Sequence, residues 1–314
     1  MNQKPEKPDE SECCGSGCKP CILDVYEENL KKWELKQEIE AESKALSQSK
    51  YLPFLITSIK SITGDTKEYE FQAVELRNEI KNKILFKNAQ IDVDYIILNS
   101  LLILKMGEYL ILKGESLNEV ISRPYTPVLC KNDFKRGVFK IIIKLYPDGK
   151  MSKFVKGLEI SDIVFWRGPY KEFKYIPNSF KNILLIGGGT GVVPLYNIAK
   201  EIVETDEEET WVKMMTSFKS VDSIILRQEV NKLKDYWNFK LDAYITNQGD
   251  SNYSLSYKES FNFKKIDKTV IENEFKNNNN NSILIVISGP NVFNQCMYDY
   301  AMNYVAKENI FVFW

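Results

Sequence analysis

From Tyr51 onward the chain alternates short apolar runs, rich in β-branched and aromatic residues, with turns built from Gly, Pro and Asp. The runs fall at 54–62, 69–76, 96–104, 109–112, 138–146 and 162–166. That spacing predicts a small antiparallel β-barrel. From Asn182 the pattern changes. Apolar stretches at 183–186, 211–216, 240–245 and 283–288 read as strands. Helical periodicity is predicted at 192–203 and near 223–236, 267–275 and 292–306. Strand-helix alternation implies a parallel sheet covered on both faces. Nearer the start, apolar positions Val25, Leu30, Trp33, Leu35 and Ile39 among many Glu and Lys residues predict an exposed helix over 24–47.

The fold class expected is therefore β followed by α/β, preceded by a short Cys-rich helical segment. A chain of 314 residues is long enough for two domains with separate cores. The boundaries expected are a disordered tail at 1–12, a Cys-rich segment at 13–50, the barrel at 51–174 and the α/β domain at 175–314. Five consecutive Asn residues within 276–282 read as a solvated loop. The longest apolar run, 95–112, is broken by Asn99, Ser100, Lys105, Gly107 and Glu108, too polar for an integral membrane segment. The first twelve residues carry neither a secretory nor a transit pattern, so a soluble, cytoplasmic setting is the default expectation.

Charge and composition narrow the chemistry. Lys plus Arg total 42 against 43 Asp plus Glu, so no global field points to nucleic acid. The chain has no histidine, which excludes Ser-His-Asp hydrolysis and His-ligated zinc. Chemistry carried by a cofactor survives that exclusion.

Three segments could hold such a group. In Arg123-Pro124-Tyr125-Thr126-Pro127 the two prolines fix an extended backbone, presenting Arg123 as a charge for a diphosphate and Tyr125 as a flat face. The plain alternative is an edge strand with a surface Arg. Asp148-Gly149 is a turn signal, and Lys150, Met151 and Ser152 after it begin either a phosphate-receiving helix or an ordinary turn. Gly187-Gly188-Gly189-Thr190-Gly191 lies between a buried strand and a helix, where glycines admit a ligand close to backbone. Its spacing departs from G-x-G-x-x-G because Val192 stands at the third glycine, and a tight strand-to-helix turn is the competing reading. Finally, Cys13, Cys14, Cys18 and Cys21 fall within nine residues. They suit a zinc or iron-sulfur site, redox-active thiols, or a structural or docking element.

These landmarks, in order, resemble a known family. Arg123-Pro-Tyr-Thr-Pro-Val, Ile142-Ile-Lys-Leu-Tyr146, Gly149-Lys-Met-Ser152, Phe165-Trp-Arg-Gly-Pro169, Gly188-Gly-Thr-Gly-Val-Val-Pro194, Ser288-Gly-Pro290 and a terminal Phe311-Val-Phe are similar to the NADH-cytochrome b5 reductase family of the ferredoxin-NADP reductase superfamily. The likeness spans roughly 51–314, and the cysteine segment resembles a short oxidoreductase-like N-terminal domain. The resemblance implies an FAD-binding barrel at 51–174 and an NAD(P)-binding domain at 175–314. It implies that Arg123 and Pro124 border the FAD diphosphate, Tyr125 packs on the flavin and Thr126 bonds near its reactive nitrogen, with Tyr125 and Thr126 as the catalytic pair. Gly149, Lys150, Met151 and Ser152 would contact the diphosphate. Lys144 and Tyr146 would lie toward the nicotinamide nucleotide, whose site Gly188, Gly189, Thr190, Gly191, Gly289 and Pro290 would line. Hydride would pass from NADH to FAD, and electrons onward to a one-electron acceptor such as cytochrome b5.

Two positions depart from that family pattern. Val193 stands where Thr precedes the loop proline, and Ser288 replaces the cysteine of Cys-Gly-Pro-Pro. A fold-retaining binding or regulatory module with little turnover is therefore the competing reading. For the cosubstrate, Asp222 is expected to accept from a ribose hydroxyl and favour NADH over NADPH, while Lys219 and Arg227 would attract a 2′-phosphate. Asp222 is equally suited to a helix N-terminus.

Overall fold

The computed structural model describes residues 5–8, 21–42, 45–77, 84–87, 94–98, 100–117, 119–171, 173–247, 255, 259–276 and 282–314. Helix α1 (Ile22–Glu42) precedes the first sheet. That sheet comprises β1 (Leu52–Thr63), β2 (Thr66–Leu76), β3 (Leu85–Phe86), β4 (Tyr95–Ile97), β5 (Glu108–Ser116), β6 (Glu119–Tyr125), β7 (Pro127–Val128), β8 (Val138–Lys144) and β9 (Ile163–Lys171). Helix α2 (Lys131–Phe134) precedes β8, and α3 (Lys150–Lys156) follows it.

The strand path runs β6-β5-β9-β1-β2-β8-β7, with β3 on β9 and β4 on β2. Every pairing is antiparallel. Its terminal strands, β6 and β7, are consecutive in the chain with only Thr126 between them. The sheet thus curls into the expected barrel, with its seam at Thr126. Inside, Trp166 meets Phe71 and Phe139 edge-on at centroid distances of 5.0 and 5.4 Å, and Phe54 meets Phe139 at 5.1 Å. These rings are fully buried, and each contributes roughly 1.5–3 kcal/mol relative to exposure.

The apolar run expected as a strand over 96–104 is one only at Tyr95–Ile97. Leu102 and Leu104 are buried without a ladder, and the Leu102 N–H donates instead to the Phe134 carbonyl at 2.9 Å. The apolarity there serves the core rather than a strand, a distinction invisible to periodicity over so short a run.

The second sheet is parallel. It contains β10 (Asn182–Gly188), β11 (Trp211–Phe218), β12 (Phe239–Ile245), β13 (Phe261–Asn262), β14 (Ile283–Ser288) and β15 (Ile310–Phe313), in the order β13-β12-β11-β10-β14-β15. Helices α4 (Val192–Val203), α5 (Arg227–Lys232), α6 (Lys268–Lys276) and α7 (Asn291–Ala301) cover it. Alternation along β10 sends Ile183 and Leu185 toward α4 and α5, and Leu184 and Ile186 toward α6 and α7. A strand buried on both faces is why 183–186 is apolar throughout.

The helix expected near 223–236 is broken. Leu226 takes φ of 51°, leaving a 3-10 turn at Val221–Ser223, then α5, then another turn at Leu233–Asp235. Ser220 closes the first turn, its N–H donating to the Ser223 hydroxyl at 3.0 Å while that hydroxyl donates to the Ser220 carbonyl at 2.7 Å. These local bonds compete with helix continuation.

Candidate active site

Strand order in the second sheet reverses at β10, with β11 on one side and β14 on the other. In open α/β sheets a crevice opens beyond the strand ends at such a reversal. Here Gly187 pairs in register with Ser288, so the segments that follow both strands emerge together. Gly189 has φ of +55°, and a Cβ at Gly191 would overlap the Ser288 carbonyl. The loop needs glycine at the first for conformation and at the second for close approach.

The barrel supplies the opposite wall. Register places Arg123 opposite Leu112, Tyr125 opposite Leu110 and Pro127 opposite Ile141. The Tyr125 ring meets Trp166 edge-on at 6.0 Å. Burial pushes its phenol well above the ordinary value, against the lowering pull of Arg123. Tyr125 is therefore a neutral, rigidly backed ring. Arg123 is exposed, with Nη1 donating to the Ser122 carbonyl at 2.8 Å.

Between the walls lies a cleft of about 450 Å³. Arg123, Pro124, Tyr125, Thr126, Lys144, Tyr146, Gly149, Lys150, Met151 and Ser152 line it from the barrel side, and Gly189, Thr190, Gly191, Gly289 and Pro290 from the other. A second cavity of about 250 Å³ continues past Gly188 and shares Lys144, Gly189, Thr190 and Pro290 with the first. Residues from all three sequence segments singled out as ligand-holding thus meet across one opening.

Buried Asn197 on α4 fixes that meeting. Its Nδ2 donates to the Pro127 carbonyl at 2.8 Å, and its Oδ1 accepts from the Leu129 N–H at 3.1 Å. Lys200 donates to the Leu129 carbonyl at 3.3 Å. Strand β7, which directly follows Tyr125 and Thr126, is therefore pinned to the helix that starts beside the glycine loop.

The donor groups suit an anionic, flat cofactor such as FAD. Gly149 precedes α3 without a side-chain cap, so that helix start leaves backbone N–H groups without side-chain partners, whereas the first N–H of α4, on Val192, already donates to the Gly189 and Thr190 carbonyls of the turn before it. Ser152 is turned inward, its hydroxyl accepting from the Tyr146 N–H at 3.0 Å. Lys150 pairs with Glu119 at 3.0 Å. Lys144 pairs with Asp65 at 3.0 Å. Burial would raise the Asp65 carboxyl, but hydrogen bonds from Lys144, Thr66 and Thr63 together hold it below its ordinary value.

One expected residue stands outside both cavities. Asp222 is exposed on the turn Val221–Ser223 and lines neither cavity. Ser217, Lys219 and Ser223 line the second cavity in its place. Arg227 is held by Glu259 through Nε at 2.7 Å and Nη2 at 2.6 Å. Sequence reasoning also missed Asp65, Thr66, Tyr109, Phe313 and Trp314, which reach the cavities through tertiary pairing. Cys13, Cys14 and Cys18 lie outside the described residues. Cys21 directly precedes α1, its N–H donating to Asp24 at 3.3 Å, and among the described residues no cluster has three metal-ligand side chains. No helix among them is long and apolar enough to cross a membrane.

Comparison with known proteins agrees with this geometry. Family models match an oxidoreductase FAD-binding domain at 89–175, an oxidoreductase NAD-binding domain at 185–299 and an oxidoreductase-like N-terminal domain at 1–42. The NADH-cytochrome b5 reductase-like protein of Homo sapiens is 30% identical over 285 residues, covering 87% of this chain and 82% of its own. NADH-cytochrome b5 reductase 1 of Dictyostelium discoideum is 28% identical over 252 residues, covering 79% and 83%. Among solved structures, the cytochrome b5 reductase domain of Ulva prolifera nitrate reductase superposes with a TM-score of 0.62 at 20% identity, covering 86% of this chain and 99% of its own. Flavohemoglobin from Malassezia yamatoensis gives 0.64 at 17% identity, covering 95% and 70%.

Proposed function

Because the chain belongs to the NADH-cytochrome b5 reductase-like family of oxidoreductases, we propose that it is a flavoenzyme that oxidises NADH and reduces a one-electron acceptor such as cytochrome b5. The supporting observation is the single cleft in which the Arg123–Thr126 wall faces the Gly188–Gly191 loop across shared residues Lys144 and Thr190. We assign FAD to the unit at 51–174 and the nicotinamide nucleotide to 175–314.

When bound, FAD accepts a hydride from a reduced nicotinamide nucleotide and releases electrons singly. Arg123 would hold the diphosphate by charge-assisted hydrogen bonds, together with the open N–H groups after Gly149. Tyr125 would support the ring system, kept planar and neutral by its packing on Trp166. Thr126, at the barrel seam, would offer one hydroxyl to the ring edge. The glycine loop would bring the nicotinamide against that edge, with Lys144 at the junction of the two cavities steering the anionic pyrophosphate. Val193 and Ser288 both line the cleft. Neither is ionisable at neutral pH, so these two residues would shape the cleft rather than move protons.

The test is purification with FAD, followed by anaerobic titration with NADH and addition of oxidised cytochrome b5. The reading expects a yellow protein bleached by NADH and reoxidised by the cytochrome. Arg123→Ala is expected to weaken FAD retention by about 10- to 100-fold, the worth of a hydrogen bond to a charged group. Colourless protein that takes up no FAD overturns the reading, and bound FAD that NADH does not bleach favours the binding module instead.

A further inference from the structure

We infer that Asp65, at the tip of the β1–β2 hairpin, is a positioning residue for nucleotide binding: it aims the Lys144 ammonium into the junction of the two cavities before a dinucleotide arrives. This deepens the nucleotide reading of the cleft given above and rests on it. Lys144 lines both cavities, so a molecule that bridges them passes its ammonium. A lysine ammonium is a point charge on a flexible four-carbon stem, and an unheld one gives up rotamer freedom when it engages a phosphate.

The hairpin removes that freedom in advance. Thr63 pairs with Thr66 across the turn, Thr66 pairs with Lys144 across β2 and β8, and the Asp65 carbonyl accepts from the Leu145 N–H at 2.7 Å. The turn is thus bonded to the strand end that carries the lysine. Within the carboxylate, Oδ1 accepts from the Thr63 and Thr66 hydroxyls at 3.0 and 2.9 Å, which leaves Oδ2 turned to Lys144 at 3.0 Å. The same ammonium lies 6.0 Å from the centre of the Tyr146 ring. An ammonium has three donors, so the carboxylate takes one and two remain for a diphosphate. The paired side chains are 50% and 26% exposed for Asp65 and Lys144, and ion pairs that wet add little to stability. Two hydroxyls and a lysine gathered on such a carboxylate serve direction.

The carboxylate also repels an anionic ligand, so charge and orientation must be separated. Asp65→Asn removes the charge and keeps an oxygen that accepts from Lys144, whereas Asp65→Ala removes both. Comparing the two variants cancels the charge and leaves the orientation. Calorimetric titration of NAD⁺ into the FAD-loaded protein is expected to give Asp65→Ala a dissociation constant about 2- to 10-fold above that of Asp65→Asn, the worth of ordering one long side chain in advance. In a Lys144→Met background the two substitutions should bind alike, because a residue acting through the lysine has nothing left to aim. The KM for NADH should follow the dissociation constants, with kcat moving less. Equal constants in Asp65→Asn and Asp65→Ala overturn the inference alone, as does a gap that survives Lys144→Met, which would make Asp65 a direct ligand or a prop of the fold. A parent protein that holds FAD and binds no NAD⁺ overturns the nucleotide reading and the inference together.

Discussion

Tyr69 stands in the barrel core with its ring stacked 6.3 Å from Phe71 and its hydroxyl donating to the Val155 carbonyl at 3.3 Å. Burial pushes its phenol from 10.0 up to about 12. A group whose folded pKa is raised binds its proton more tightly in the native state, so its stabilising effect is complete below the unfolded value and is lost as pH rises through the folded one. Burial raises Tyr196 and Tyr244 to about 12 as well. The urea midpoint is therefore expected to fall between pH 10 and 12, and Tyr69→Phe to flatten that fall. Equal slopes in the two proteins would contradict the assignment. At this scale the sequence was most legible where covalent chemistry fixes backbone, as in Arg123 to Pro127. It was least legible for Asp65, which meets Lys144 only because register sets Thr66 opposite Lys144 across β2 and β8.

Helix α4 and strand β7 illustrate how elements are joined. Asn197 satisfies one acceptor and one donor of a strand only two residues long, and it is 1% exposed. Asn197→Ala leaves the Pro127 carbonyl and the Leu129 N–H without partners, at a cost of about 1–3 kcal/mol for each buried group left unsatisfied. A lowered urea midpoint at constant m, together with weaker FAD retention, is expected. A variant as stable as the parent would show that water replaces the amide. The strands of the second sheet were readable because burial on both faces demands continuous apolar sequence. Strands β6 and β7 have little apolar pattern to show, being edge strands that face a cleft, and only their prolines marked the segment as extended: β6 is largely exposed.

Across the whole molecule, the segment between the two sheets is tied down on one side. Glu208, 4% exposed, accepts from the Tyr175 hydroxyl at 3.1 Å and from the Asn178 N–H at 3.0 Å. Asn178 also donates to the Glu207 carbonyl at 2.8 Å, and Thr210 to the Phe180 carbonyl at 2.7 Å. The connection is thus anchored to the second sheet. Glu208→Ala is expected to expose 173–181 to proteolysis under native conditions while each sheet keeps its own core. An unaltered cleavage pattern would contradict that role. Composition gave no hint of this clamp, because Glu208 is one of three consecutive glutamates and only its loop geometry distinguishes it.

The two cavities are walled by both sheets and share Lys144, Gly189, Thr190 and Pro290. A molecule lying there touches both sheets at once, so its binding energy opposes their separation as well as their unfolding. At a concentration 100 times its dissociation constant such a molecule adds about 2.7 kcal/mol to the state that holds it. That state exists only while both walls are in place. Occupancy of the cleft therefore couples the unfolding of the two sheets, and the cofactor acts as part of the interface between them.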